Sequence, residues 1–152
     1  MKKEIWGPAI WKILHVFTIK LKDEFFLKEK QTILSFIFGI CHNLPCPYCS
    51  QHACSYLNKH KYKFLKNKEQ LVTLIFNLHN DVNKRLKKSD FDKDKLNEEY
   101  AKYNYVQTMQ YYFKIMNNIN YNEKMMLYTM TRREFLKKNL NFIKNNVHNF
   151  DA

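Results

Sequence analysis

Glycine and proline are scarce in this sequence, with two of the first and three of the second in 152 residues. Turns between strands draw heavily on both, so a sheet protein is excluded; ten tyrosines and twelve phenylalanines are available instead for packing between helices. No stretch approaches the roughly 20 apolar residues of a membrane span. Met1-Lys2-Lys3-Glu4 runs into Trp6 and Gly7-Pro8 without an apolar signal-peptide core, so a cytoplasmic protein without membrane contact is expected. Cysteine is confined to four positions between residues 41 and 54. A secreted disulfide framework would staple distant segments, whereas this clustering marks a local site. The length suits one unit able to bury a substantial core.

Acidic residues are also few, and 26 Lys and Arg against 14 Asp and Glu leave a formal charge of +12. Nucleic-acid binding would need those cations gathered on one surface. They are spread from Lys2 to Lys144 and interleaved with asparagine, the pattern of a solvated basic surface, so nucleic acid is not an expected partner.

Helical periodicity accounts for most of the chain. Pro8 suits a first turn, and Ile10, Trp11, Leu14, Phe17 and Leu21 predict a helix over about 8–21. Phe25, Phe26 and the run from Ile33 to Ile40 predict a second apolar helical segment that stops before Pro45. A third helix opens near Cys46 and carries Cys49, Ala53, Tyr56 and Leu57, and a fourth carries Leu71, Leu74, Ile75, Leu78, Val82 and Leu86. Ser89-Asp90-Phe91-Asp92 reads as a turn with an N-cap before a short helix containing Leu96 and Tyr100. From about Asn104 a Tyr-rich stretch leads to Thr131-Arg132-Arg133-Glu134, a capping-box pattern, with Leu136, Leu140, Ile143 and Val147 on one face beyond it.

Cys46-Pro47-Tyr48-Cys49 is the segment that carries chemistry. Two cysteines at this spacing on a helix start can open and close a disulfide without rearranging the fold, and the helix dipole favours the thiolate that exchange requires. Zinc is the competing reading, through Cys41, Cys46, Cys49 and Cys54, or with His42 or His52 exchanged in. Tetrahedral sites usually draw two chelating pairs from separated segments, and here every candidate lies within residues 41–54. A thioredoxin-like domain would need strands around the motif. Four inert buried cysteines remain a possible reading of Cys41 and Cys54 in particular, which fall on apolar helical stretches.

Three segments taken together resemble the Erv/ALR family of FAD-linked sulfhydryl oxidases, and most of all the compact versions of large DNA viruses. They are Trp6-Gly7-Pro8-x-x-Trp11-x-x-Leu14-His15, then Leu44-Pro45-Cys46-Pro47-Tyr48-Cys49-x-x-His52-Ala53, and then His79-Asn80-x-Val82-Asn83-x-x-Leu86-x-Lys88 with Asp90-Phe91-Asp92. The similarity spans about residues 4–103. It implies an all-α four-helix bundle with a short fifth helix, extended here by a helical C-terminal segment, so that residues 1–103 form the oxidase unit and 104–152 an addition.

The resemblance also implies FAD as cofactor, Cys46 and Cys49 as the catalytic pair and no metal. Flavin contacts carry over to Gly7, Trp11 and His15, to His79, Asn80, Val82, Asn83, Leu86 and Lys88, and to Tyr48 and His52; Tyr100 stands where relatives often place a tryptophan against the adenine. Aromatic and imidazole faces suit the ring systems, and Lys88 suits the pyrophosphate. Expected partners are a dithiol protein substrate or thioredoxin-like redox protein, molecular oxygen and a second copy of the chain, in a host cytoplasm or virion. The positions at which many relatives staple the fifth helix with a disulfide are Phe76 and Lys93 here, so apolar packing must hold that corner. No cysteine outside residues 41–54 exists to act as a distant shuttle. A zinc-stabilised or nucleic-acid-binding helical module is the alternative from another class, and a fold kept for interaction with its activity lost is a third.

Overall fold

The computed structural model describes residues 1–119 and 126–152. Among these residues the fold is all-α: α1 (Lys3–Lys20), α2 (Asp23–Lys28), α3 (Lys30–His42), α4 (Pro47–Lys59), α5 (Lys68–Arg85), α6 (Leu96–Tyr100), α7 (Tyr105–Asn117) and α8 (Met126–Asn145). One isolated antiparallel bridge, Leu21 to Phe150, is the exception. Helices α1, α3, α4 and α5 make the expected bundle; α6 is the short fifth helix, packed on α1 and approached through a 3₁₀ turn at Lys93–Lys95. Asn67 and Asp92 cap their helices by accepting from the backbone N–H of Gln70 and Asp94.

Three boundaries differ from the sequence reading, each for a physical reason. The first helix begins at Lys3, not near Pro8, because Trp6 is buried on its inner face and anchors the extra turn; Pro8 sits inside the helix on the exposed side, where the lost N–H is cheap. The second apolar segment is two helices, split at Glu29, whose φ of −120° and ψ of 35° leave the helical region. Thr131 does not start a helix. It lies within α8 and bonds the Leu127 carbonyl at 2.9 Å, since Thr129 and Arg132 are both buried and hold the preceding turn in helical register. Leu136 and Ile143 face inward as the periodicity predicts, whereas Leu140 and Val147 are exposed. The part of the Tyr-rich stretch at 120–125 lies outside the described residues.

The additional helices share the bundle's core. Tyr105, Tyr112 and Met116 of α7 are buried against α1, and α8 lies on α3, where Phe36 meets Phe135 and Phe142 with ring centroids 6.0 and 5.6 Å apart. Phe150 returns to the same cluster, stacked on Tyr105 at 4.1 Å and close to Phe17 at 4.8 Å. A smaller cluster of Val72, Phe76 and Leu96, with Ile19, Phe91 and Tyr100 against it, holds the fifth-helix corner by apolar packing. Lys93 adds a hydrogen bond to Thr73 at 3.1 Å.

Candidate active site

The connection between α3 and α4 ends in Cys46, and a proline sets the start of the next helix. Pro47 occupies the first position of α4, where its missing N–H is one of the helix's unpaired donors in any case, while the Cys46 sulfur accepts the Cys49 N–H at 3.2 Å as the N-cap. The helical turn brings the two Cα atoms to 5.2 Å, and Cys46 and Cys49 are joined as a disulfide. Both are half-buried. Cys41 and Cys54 are free thiols. Burial pushes the Cys41 thiol well above the ordinary cysteine range and Cys54 up to about 11, so both are neutral, poor nucleophiles.

An apolar cavity of about 290 Å³ opens beside this disulfide, bounded by α1, α3, α4 and α5. Of the residues expected at the cofactor, Gly7, Trp11, Tyr48, His52, Val82 and Leu86 line it, and so does Cys49; Cys46 is not on its wall. A methyl group at Gly7 would meet no protein atom closer than the Lys3 Cγ at 3.8 Å. Packing within the chain therefore does not demand glycine there.

Trp11 joins the cavity to an adjoining aromatic group in which His15 is buried and His79 and Tyr100 are half-buried. Its ring lies on His79 at 3.9 Å and 8°, His15 faces Tyr100 at 4.4 Å, and the His15 Nε2 and His79 Nδ1 atoms share a hydrogen bond of 2.8 Å. Four of the expected residues, from three helices, thus form one assembly. Burial, with His79 adding to it, lowers the His15 pKa to about 3; burial, with Lys88 adding to it, lowers that of His79 to about 4. Both imidazoles are neutral at physiological pH. Burial likewise raises the Tyr100 phenol to about 12.

The other three expected residues, Asn80, Asn83 and Lys88, lie off the cavity wall. Asn80 spends its amide on the backbone of Phe91, donating to the carbonyl at 3.0 Å and accepting the N–H at 2.7 Å, which ties α5 to the turn before α6. Asn83 provides the backbone carbonyl that closes α5, accepting the Lys88 N–H at 2.8 Å, with Lys87 in the left-handed region at φ 57°. Lys88 is exposed just past this end.

The contacts that Asp81 and Arg85 make at this wall were not legible in the sequence. His52 meets Asp81 at 3.0 Å, and Arg85 donates to His52 Nδ1 and to the Tyr48 hydroxyl. Asp81 and Arg85 are four apart on α5, so they share the face that looks toward α4. That spacing was the available signal.

The donor set fits a flavin dinucleotide. His15 Nδ1 is buried without a partner, as are the Tyr105 and Tyr112 hydroxyls and Arg132 Nε elsewhere among the described residues; of these, His15 Nδ1 is the one within the Trp11–His79–Tyr100 group. Flat aromatic faces adjoin an apolar cavity whose wall includes a disulfide sulfur, and Arg85 stands on the same wall. Among the described residues no three His, Cys, Asp or Glu side chains gather closely enough to hold a metal ion.

An all-α bundle with a Cys-x-x-Cys disulfide opening one helix onto an aromatic-walled cavity defines a helical thiol–disulfide oxidoreductase. The model of the Erv1 / Alr family matches residues 8–101, and the chain belongs to that family. It is 41% identical over 83 residues to the FAD-linked sulfhydryl oxidase of African swine fever virus (isolate Pig/Kenya/KEN-50/1950), which covers 55% of this chain and 69% of that protein. A FAD-linked sulfhydryl oxidase of Saccharomyces cerevisiae is 29% identical over 100 residues, 66% of this chain and 50% of that protein.

Proposed function

We propose that the protein is a FAD-linked sulfhydryl oxidase that makes disulfides in dithiol substrates at Cys46 and Cys49, with dioxygen as the final oxidant. The observation that carries this reading is the asymmetry of the pair: Cys49 lines the cavity and Cys46 does not. A substrate thiolate attacks the Cys46 sulfur, the Cys46–Cys49 bond breaks, and Cys49 leaves as a thiolate. The second substrate thiol then attacks the substrate sulfur of the mixed disulfide and displaces Cys46, whose thiolate is held at the N-cap by the Cys49 N–H. The substrate has lost two electrons and two protons; the pair has gained both.

Bound FAD supplies the two-electron transfer from this dithiol to dioxygen, with release of hydrogen peroxide. Gly7, Trp11, Tyr48, His52, Val82 and Leu86 are assigned to the cavity wall that holds it. His15, His79 and Tyr100 form the aromatic support behind, where the unpaired His15 Nδ1 offers a hydrogen-bonding position. Lys88 is assigned to the pyrophosphate. Asn80 and Asn83 act through the backbone, setting the turn and the helix end that carry the others. Since burial keeps Cys41 and Cys54 protonated, the reading without an internal shuttle is favoured: substrate reaches Cys46 directly.

The division into an oxidase unit at 1–103 and an added helical layer at 104–152, the homodimer, the thioredoxin-like partner and the host cytoplasm or virion as compartment are proposed on the family resemblance. Light scattering of the purified protein tests the dimer. The activity is tested by a visible spectrum and by oxygen uptake with a dithiol. The full chain is expected to be yellow and to consume oxygen, and Cys49→Ser to retain flavin while uptake falls to background. A colourless protein, or a Cys49→Ser variant with full uptake, overturns the reading.

A further inference from the structure

The segment that enters the redox turn, His42 to Leu44, is held from outside the region matched by the family, by a side chain of α8. The Tyr128 hydroxyl lies 2.6 Å from the Leu44 carbonyl, 3.3 Å from the His42 carbonyl and 2.5 Å from Ser50 Oγ, and Ser50 Oγ in turn accepts the Leu44 N–H at 3.0 Å. Ser50 is buried and Tyr128 half-buried.

Proton counting orders these contacts. Tyr128 has one proton and gives it to a carbonyl; the Leu44 carbonyl is the closer. Ser50 must then donate its own proton to the Tyr128 oxygen. The result is a closed ring: Leu44 N–H to Ser50, Ser50 to Tyr128, and Tyr128 back to the Leu44 carbonyl. Both backbone groups of Leu44 are thereby satisfied by side chains, one immediately after Cys49 and one on a distant helix. Pro45 comes next, with no N–H to contribute. The Ser50 N–H bonds the Cys46 carbonyl at 3.0 Å, so the ring reaches both sides of the disulfide.

We infer that Tyr128 is a positioning residue for the Cys46–Cys49 pair: through Ser50 and Leu44 it fixes the α3–α4 turn and so sets the thiol–disulfide equilibrium of the site. This rests on the reading of Cys46 and Cys49 as the redox pair. The direction of the effect depends on which state the ring constrains. With the disulfide closed, the covalent bond already holds the turn, and removing the Tyr128 hydroxyl frees little. With the disulfide open, the ring is what keeps the two sulfurs together, so its loss releases conformational freedom mainly in the dithiol state. The dithiol is favoured, and the disulfide becomes a stronger oxidant. Burial raises the Tyr128 pKa above the ordinary phenol value, which keeps the donor protonated throughout.

The test is an anaerobic equilibration of the full chain in glutathione redox buffers, with the Cys46 and Cys49 states read by alkylation and site-resolved mass spectrometry. Tyr128→Phe keeps the ring and removes the hydroxyl. It is expected to shift the equilibrium toward the dithiol by about tenfold, which corresponds to about 30 mV for this two-electron couple. Ser50→Ala is expected to shift it the same way, and the double variant by less than the product of the two, because one ring is broken either way. Should Tyr128→Phe not fold, Ser50→Ala reads the same ring from its other side. A lower melting temperature with an unchanged equilibrium shows a merely structural tyrosine and overturns the proposal. A wild-type pair that does not titrate at all overturns instead the assignment of Cys46 and Cys49, so the two failures are distinguishable.

Discussion

His15 and His79, proposed as part of the cofactor's support, are also packed side chains of the fold. They share a 2.8 Å hydrogen bond inside an aromatic assembly, with depressed pKa values of about 3 and about 4 caused first by burial. In the unfolded chain both would titrate near 6.5. Between that pH and about 4 the unfolded state therefore binds protons that the folded pair refuses. Stability is full above 6.5 and is lost as pH falls, with a slope approaching about 1.4 kcal/mol per pH unit for each histidine. Urea melts at pH 7, 5.5 and 4.5 check this, and His15→Gln is expected to flatten the profile; a wild-type profile already flat counts against a neutral buried pair. Cys46, Cys49, Trp11, His15 and His79 were legible because each sits within a spaced motif. The contacts of Arg85 and Tyr128 were not, since they arise between helices that meet only in the folded molecule.

Helix boundaries were less legible than helix faces, for a reason visible in α1 and α8. Local signals such as Pro8 and the Thr131-Arg132-Arg133-Glu134 pattern report where a helix could start in isolation. Burial of Trp6 sets the start of α1, and burial of Thr129 and Arg132 keeps Thr131 inside a helix rather than at its start. The contact of α3 with α8 shows the same dependence on tertiary context. An added Cβ at Gly39 would lie 2.9 Å from Phe135 Cζ and closer still to Cε2, so this helix interior carries glycine in order to let a ring approach. Alanine gains about 1 kcal/mol of helix propensity. Overpacking costs about 1–3 kcal/mol, and Gly39→Ala is expected to lose stability overall. A thermal melt decides it: a higher midpoint would mean that Phe135 can swing away at no cost.

Among the described residues the main core runs from the bundle into α7, α8 and Phe150, although the family match ends at residue 101. Tyr105, Tyr112 and Phe150 are almost wholly buried against residues of the bundle; Phe150 contributes about 1.5–3 kcal/mol by area removed from water, and the two tyrosine rings contribute less because their hydroxyls are buried without a partner. Removing residues 104–152 is therefore expected to abolish cooperative thermal unfolding and to expose a dye-binding apolar face along α1. Cooperative melting of the shortened chain would instead show a self-sufficient bundle. The sequence reading placed helices and an apolar stripe in this region, but periodicity along one helix cannot say which other helix covers it.

The bridge between Leu21 and Phe150 also has a consequence in time. Lys22 N–H bonds the Asn149 carbonyl at 3.0 Å and Asp151 N–H bonds the Lys20 carbonyl at 2.8 Å, so the end of the first helix is completed by residues far downstream of it in the sequence. During synthesis the cysteines emerge long before Tyr128 and Phe150 do. A nascent chain thus carries its thiols through a period without the ring at Leu44 or the clasp at Lys20–Lys22. The site is therefore complete only once contacts that span most of the sequence have formed, and pairings of such high sequence separation slow folding.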